Sequence, residues 1–182
     1  MTTRTAGPLV ASLVAGMVAW ASATHAGPTD TPLPTFSDGK PAVAVYTAVG
    51  VIKGSNLETD FVCTNVDAVA VDIGLEVFDE TGALRNSVHA GSGAFLNVGP
   101  GKTVTVGTAA TVVFHEDQTL TLNTAGNGTA ALSNGSGRVV GTSKNVLCTA
   151  LLADKVHAIA DPATCSTCPP PPFTTVPLIK VP

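Results

Sequence analysis

The chain has 182 residues, a formal net charge of −4, 45% hydrophobic residues and only 12% charged ones. That length fits one domain with appendages, and the composition is too apolar for disorder and too poor in charged helix formers for a helical protein. The acidic balance, with no basic patch, excludes nucleic acid and anionic lipid as expected partners.

Residues 1–26 read as a secretory signal peptide. Arg4 supplies the positive start, and Leu9 to Trp20 is an apolar run of 12 residues, short of the ~20 needed to span a bilayer. Small residues follow, and cleavage after Ala26 is favoured over cleavage after Ala23. Both methionines and the only tryptophan lie in this leader, and its loss leaves a net charge of −5 because Arg4 is its only charged residue. A secreted or periplasmic protein is expected, with no stable membrane insertion once the leader is cut.

Residues 27–40 contain Pro28, Pro32 and Pro34 and read as a proline-rich linker or unfolded arm. Strand patterns then begin. Val43, Val45, Thr47, Val49 and Val51 alternate with Ala44, Tyr46, Ala48, Gly50 and Ile52, and Asp60 to Asn65 is a second extended run. The cleanest pattern is Val69, Val71, Ile73, Leu75 and Val77, which places five branched side chains on one face of a strand. Asp79-Glu80-Thr81-Gly82 supplies a turn after it. Leu84 opens a weaker return strand that dissolves into His89 to Gly93. Phe95 to Val98 leads to the turn at Pro100-Gly101, after which Thr103 to Val106 alternates again. Val112 to Phe114 and Thr119 to Leu122 are short apolar or alternating runs. Asn127-Gly128 and Asn134-Gly135 are expected to be hairpin turns bracketing a short strand from Thr129 to Ser133. Arg138 to Ser143 and Val146 to Leu152 complete the series. Short strands at this spacing predict an antiparallel sandwich or barrel. From Asp161 the character changes, and the four prolines Pro169 to Pro172 cannot donate to a ladder. Residues 156–182 therefore read as a Cys/Pro-rich tail, with docking of Thr174 to Val181 onto the sandwich as the alternative.

Four cysteines follow the leader, which permits disulfides in an oxidising compartment and allows three pairings. Cys63 with Cys148 is favoured, because each sits in an apolar strand and the bridge would join early and late parts of the fold. Cys165 and Cys168 then remain as a local disulfide. The alternative is a thiol-redox or metal site using Cys165 and Cys168, with His157 nearby, although no helix pattern follows to lower a thiol pKa.

No catalytic or cofactor-binding residues are expected. His115-Glu116-Asp117 places neighbours on opposite sides of the chain, and no nucleophile elbow, zinc-protease or phosphate-loop motif occurs. Asp72 and Glu76 share a strand face but lie roughly 13 Å apart by strand rise, beyond the reach of a glycosidase carboxyl pair. A calcium-binding or carbohydrate-binding sandwich is a third reading, with oxygen ligands from Asp79-Glu80 and Glu116-Asp117.

Two segments carry a resemblance. Val77-Phe78-Asp79-Glu80-Thr81-Gly82 ends a branched strand in an aromatic-Asp-x-x-Gly turn, and Leu96 to Thr103 follows as Leu-x-x-x-Pro-Gly-x-Thr. In these the chain resembles bacterial exported sandwich domains of immunoglobulin-like or fibronectin III-like kind. Phe61 to Asn65 and Cys148 to Leu152 resemble the Phe-x-Cys-Thr-Asn entry and Cys-Thr-Ala-Leu-Leu exit of bacterial secreted proteins. The resemblance implies architecture and no common activity. The expected protein is thus a single antiparallel β-sandwich over residues 41–155, flanked by proline-rich arms. It is an exported, non-enzymatic structural or binding module, without cofactor or metal, whose loops such as His89 to Gly93 would receive a protein or surface glycan.

Overall fold

A computed structural model of the chain describes residues 27–111, 114–122, 131–154 and 173–182. The expected signal peptide, the Asn127-Gly128 turn, His157, Cys165 and Cys168 lie outside the described residues. A one-turn helix, α1 (Gly27–Asp30), precedes ten strands: β1 (Val43–Lys53), β2 (Leu57–Asn65), β3 (Val71–Phe78), β4 (Ala94–Val98), β5 (Thr103–Gly107), β6 (Gln118–Thr119), β7 (Leu132–Gly141), β8 (Val146–Asp154), β9 (Phe173–Val176) and β10 (Leu178–Lys180).

The strands form an all-β sandwich. One layer runs β4-β3-β7-β1-β10 and the other β6-β5-β2-β8-β9. A corner between β1 and β2 joins the layers, where Lys53 pairs with Glu58 and the Gly54 amide donates to the Leu57 carbonyl. Pairing is antiparallel except for the two-residue β6, which runs parallel to β5. The side-chain alternation of each strand fills the space between layers: Val45 and Val51 from β1, Phe61 and Cys63 from β2, Ile73, Leu75 and Val77 from β3, and Val139 from β7 are all buried there. The branched residues at 71, 73, 75 and 77 face this core as expected, whereas Val69 precedes the strand and is exposed.

Three features depart from the expectations. The first is the arm at residues 27–40, which is part of the fold and no linker. All of β3 is buried, including the Asp72, Gly74, Glu76 and Phe78 face that points away from the core. The arm covers that face. Phe36 is fully buried with Ala42, Val88 and Val140, and its ring approaches Gly74, where a Cβ would lie 3.2 Å from it. Lys40 Nζ donates to Asp72 Oδ2 at 2.9 Å. Arg138 from β7 uses all five of its N–H donors. Nε and Nη2 reach Glu76 Oε2 at 2.8 and 2.6 Å, Nη1 donates to the Pro28 and Thr31 carbonyls, and Nη2 to that of Pro32. Prolines lack a donor but keep their carbonyl, so a proline-rich segment suits a buried guanidinium. Burial raises the Glu76 carboxyl above its ordinary value, and Arg138 opposes that rise.

The second departure is the C-terminus. β9 adds to β8 and β10 adds to β1, so residues 173–180 extend both layers and no longer belong to a free tail. Pro177 falls between the two strands, where a missing amide costs no ladder bond. The third is Asn134-Gly135, expected as a hairpin turn but located inside β7. Gly135 pairs with Val51, and a Cβ on it would lie 2.7 Å from the Phe78 carbonyl, so the glycine serves close approach of β3 instead of a turn.

The docked arm has a measurable consequence. Phe36→Ala is expected to cost about 3–5 kcal/mol in urea unfolding, where a residue in a free linker would change stability by less than about 0.5 kcal/mol. Arg138→Met strands Glu76 in the interior and is expected to cost about 3–5 kcal/mol, with much of the loss restored by adding Glu76→Gln.

Candidate functional site

Cys63 and Cys148 are Cα partners in the β2–β8 ladder, 4.2 Å apart, and are joined by a disulfide. The bridge lies within one layer, between neighbouring strands, whereas the antibody-type bridge spans two sheets. The Phe61 to Asn65 and Cys148 to Leu152 segments are therefore one unit: Phe61 faces Ala150 and Asn65 faces Val146 across the same ladder. Asn65 is buried and closes this end. Its Nδ2 donates to the Val69 and Val98 carbonyls, and its Oδ1 accepts from the Asp67 amide.

Asp72 and Asp79, singled out by the sequence, have structural partners. Asp72 Oδ1 accepts from the Asn97 amide and Oδ2 from Lys40. Asp79 accepts from Thr81, Ala83 and Arg85. Burial alone would raise its carboxyl, but these hydrogen bonds hold it below the ordinary value. The Asp79-Glu80 turn is thus organised by its own hydrogen bonds. His115 is exposed, and the His89 ring meets the Thr35 carbonyl at 3.0 Å. The 91–93 loop is held by Gln118, whose Oε1 accepts from the Gly93 amide and whose Nε2 donates to the Gly91 carbonyl. A gap between the layers is lined by apolar side chains such as Phe61, Ile73, Leu75, Phe95 and Val139.

A different cluster gathers at the far end of β2. Glu58 and Asp60 are two residues apart and share the face turned away from the core, yet both are fully buried. Ala109 and Glu116, from the chain that follows β5, lie beside Asp60. Thr108 ties the start of that chain to the β1–β2 corner, accepting from the Thr59 amide and donating to the Ile52 carbonyl. Phe114 lies edge-on to Phe173 of β9, with ring centroids 6.0 Å apart. Just after Phe114, Glu116 comes down on the pair. Glu58, Asp60 and Glu116 each offer a carboxylate oxygen, all within 4.8 Å of one another. The Glu116 Oε1 accepts from the Thr111 amide, and Asp117 turns the other way to accept from the Thr105 amide. Glu116 and Asp117, read from sequence as one ligand pair, are thus separated.

Both Asp60 carboxylate oxygens lack a hydrogen-bond partner among the described residues. Burial, then the charges of Glu58 and Glu116, push the Asp60 carboxyl up to about 8. Gly107, the register partner of Asp60 on β5, leaves the space beside it open. A Cβ there would lie 2.5 Å from Asp60 Oδ1, 2.4 Å from the Ala109 carbonyl oxygen and 3.1 Å from Cγ of Glu116. The sequence pattern placed the second extended run at Asp60 to Asn65 and so left Glu58 outside it, whereas β2 begins at Leu57, and no periodicity reveals the meeting with Glu116.

No family model, curated protein or solved structure matches the chain.

Asp60 makes stability depend on pH in a defined direction. Between its ordinary value of 3.8 and about 8, the folded chain keeps a proton that the unfolded chain has released. Rising pH therefore favours unfolding across that window. In chelator, wild-type stability is expected to fall as pH rises from about 4 to about 8, by at most about 1.4 kcal/mol per pH unit from this group. Asp60→Asn is expected to flatten that slope in urea unfolding measured at successive pH values.

Proposed function

We propose that the protein is an exported, non-enzymatic β-sandwich module that works in a secreted or periplasmic setting as a structural or binding element. The buried Cys63–Cys148 bridge carries this reading, because such bridges form and persist in oxidising compartments. A leader over residues 1–26 agrees with it. No helix among the described residues is long and apolar enough to cross a membrane.

The non-catalytic reading rests on how the polar side chains are used. Asp72, Glu76 and Asp79 are engaged in holding the arm and the turns, and the gap between layers is lined by apolar groups. A kinship with immunoglobulin-like or fibronectin III-like exported domains belongs to the same proposal. Its support is the sandwich itself and the pairing of the Phe61 to Asn65 and Cys148 to Leu152 segments. The outermost strands of the layers, β4, β6, β9 and β10, are between two and five residues long, which leaves little ladder for a partner strand to extend. A protein or glycan partner would instead meet loops.

Intact mass of the chain recovered from a producing cell tests this. The expected species starts at Gly27, carries two disulfides, resists alkylation until reduced and shows no tryptophan fluorescence, since Trp20 leaves with the leader. A reduced chain in the cytoplasm would contradict the reading. Alkylation of Cys165 and Cys168 without reductant would move the thiol-redox or metal reading of those two cysteines to first place.

A further inference from the structure

The buried carboxylates at the end of β2 have no role in the module described so far. Two acidic side chains on one strand face are usually left to water. Here the chain after β5 brings a third, Glu116, to them, while Asp60 is fully buried with both oxygens unpartnered among the described residues. An uncompensated carboxylate in such a place costs stability unless a proton or a cation meets it. Asp60 has no ion pair among the described residues, and the charges that act on it are those of Glu58 and Glu116.

We propose that Glu58, Asp60 and Glu116 form a binding site for a divalent cation that prefers oxygen ligands, with Ca²⁺ ahead of Mg²⁺. The donor set is three carboxylates without a thiol or imidazole, which suits hard cations and not zinc or copper. Geometric tolerance selects within that class. Ligand oxygens lie 2.3–2.6 Å from Ca²⁺, so two of them on one ion can stand up to about 5 Å apart. The oxygens here lie within 4.8 Å of one another, inside that span. Mg²⁺ demands near-ideal octahedral placement and dehydrates reluctantly, whereas Ca²⁺ accepts irregular carboxylate sets. The Ala109 carbonyl faces the same space beside Gly107 and supplies a neutral fourth oxygen. The side chain that glycine lacks would occupy that space.

The ion would also explain the course of the 108–117 segment. Its flanks are held by Thr108 and by Asp117, which bonds to Thr105, and a cation shared between β2 and Glu116 would hold the stretch just before Asp117. Occupancy would therefore order the outer face of this layer.

Calcium titration of the exported chain after chelator treatment tests the site, with calorimetry for stoichiometry and thermal melting for linkage. One Ca²⁺ per chain is expected, with a melting temperature raised by about 5–10 °C at saturation and a weaker response to Mg²⁺. Asp60→Asn keeps the side-chain shape, and it is expected to abolish the calcium response while melting in chelator at or above the wild-type temperature. Glu116→Gln, on a partly exposed segment, is expected to weaken binding at least about tenfold and serves if the first variant fails to fold. Identical wild-type melts in Ca²⁺, Mg²⁺, Mn²⁺ and chelator would overturn the proposal and leave Asp60 as a protonated carboxyl. Wild-type affinity in both variants, or a response to Zn²⁺ alone, would overturn it equally.

Discussion

Strand β2 is the constraint on which the rest of the molecule depends. It is bonded along its length to β8 on one side and to β5 on the other, and its start turns the corner from β1 that joins the two layers. A strand so enclosed cannot shed an awkward side chain into solvent by shifting register, because a one-residue slip would turn its whole core face outward. Each residue it carries must be accommodated in place. Phe61 and Cys63 enter the core, Cys63 is bonded to its cross-strand neighbour, and Glu58 and Asp60 are buried. The chain-entropy contribution of a bridge closing a separation of 85 residues is on the order of 4–5 kcal/mol as an upper value.

The sandwich was legible because its signal is local. Alternation at Val43 to Val51 and Val71 to Val77 needs no knowledge of neighbours, and neither does the turn at Pro100-Gly101. The pairing of Cys63 with Cys148 followed from their apolar strands. What escaped was whatever depends on a second element. Nothing in Pro28 or Pro32 announces that their carbonyls will meet Arg138, and Phe36 stands alone in a polar stretch until Val88 and Val140 surround it. The opposite face of β3 is mixed in sequence, and the arm that covers it read as a linker. Asn134-Gly135 misled for the opposite reason: a strong local turn signal was overridden by the need for β3 and β7 to approach closely.

The two ends of the described chain take part in the same architecture. The N-terminal arm closes the outside of one layer through Arg138, and the C-terminal strands lengthen both layers. Charged residues inside the protein are accordingly few and committed. Arg138 with Glu76 holds the arm, and Lys40 with Asp72 holds the segment that follows it. Against this economy Asp60 stands out, since the charges acting on it are those of Glu58 and Glu116, where Asp72 and Glu76 each meet a cation.

Native-state hydrogen exchange on the oxidised protein tests the central role of β2 most directly. If β2 and β8 anchor the fold, amides such as those of Phe61 and Cys63 exchange only through global unfolding, as slowly as any in the molecule. If those amides instead exchange through local opening while β3 and β7 remain protected, the account is wrong, and the layer closed by Arg138 is the one that holds the molecule together.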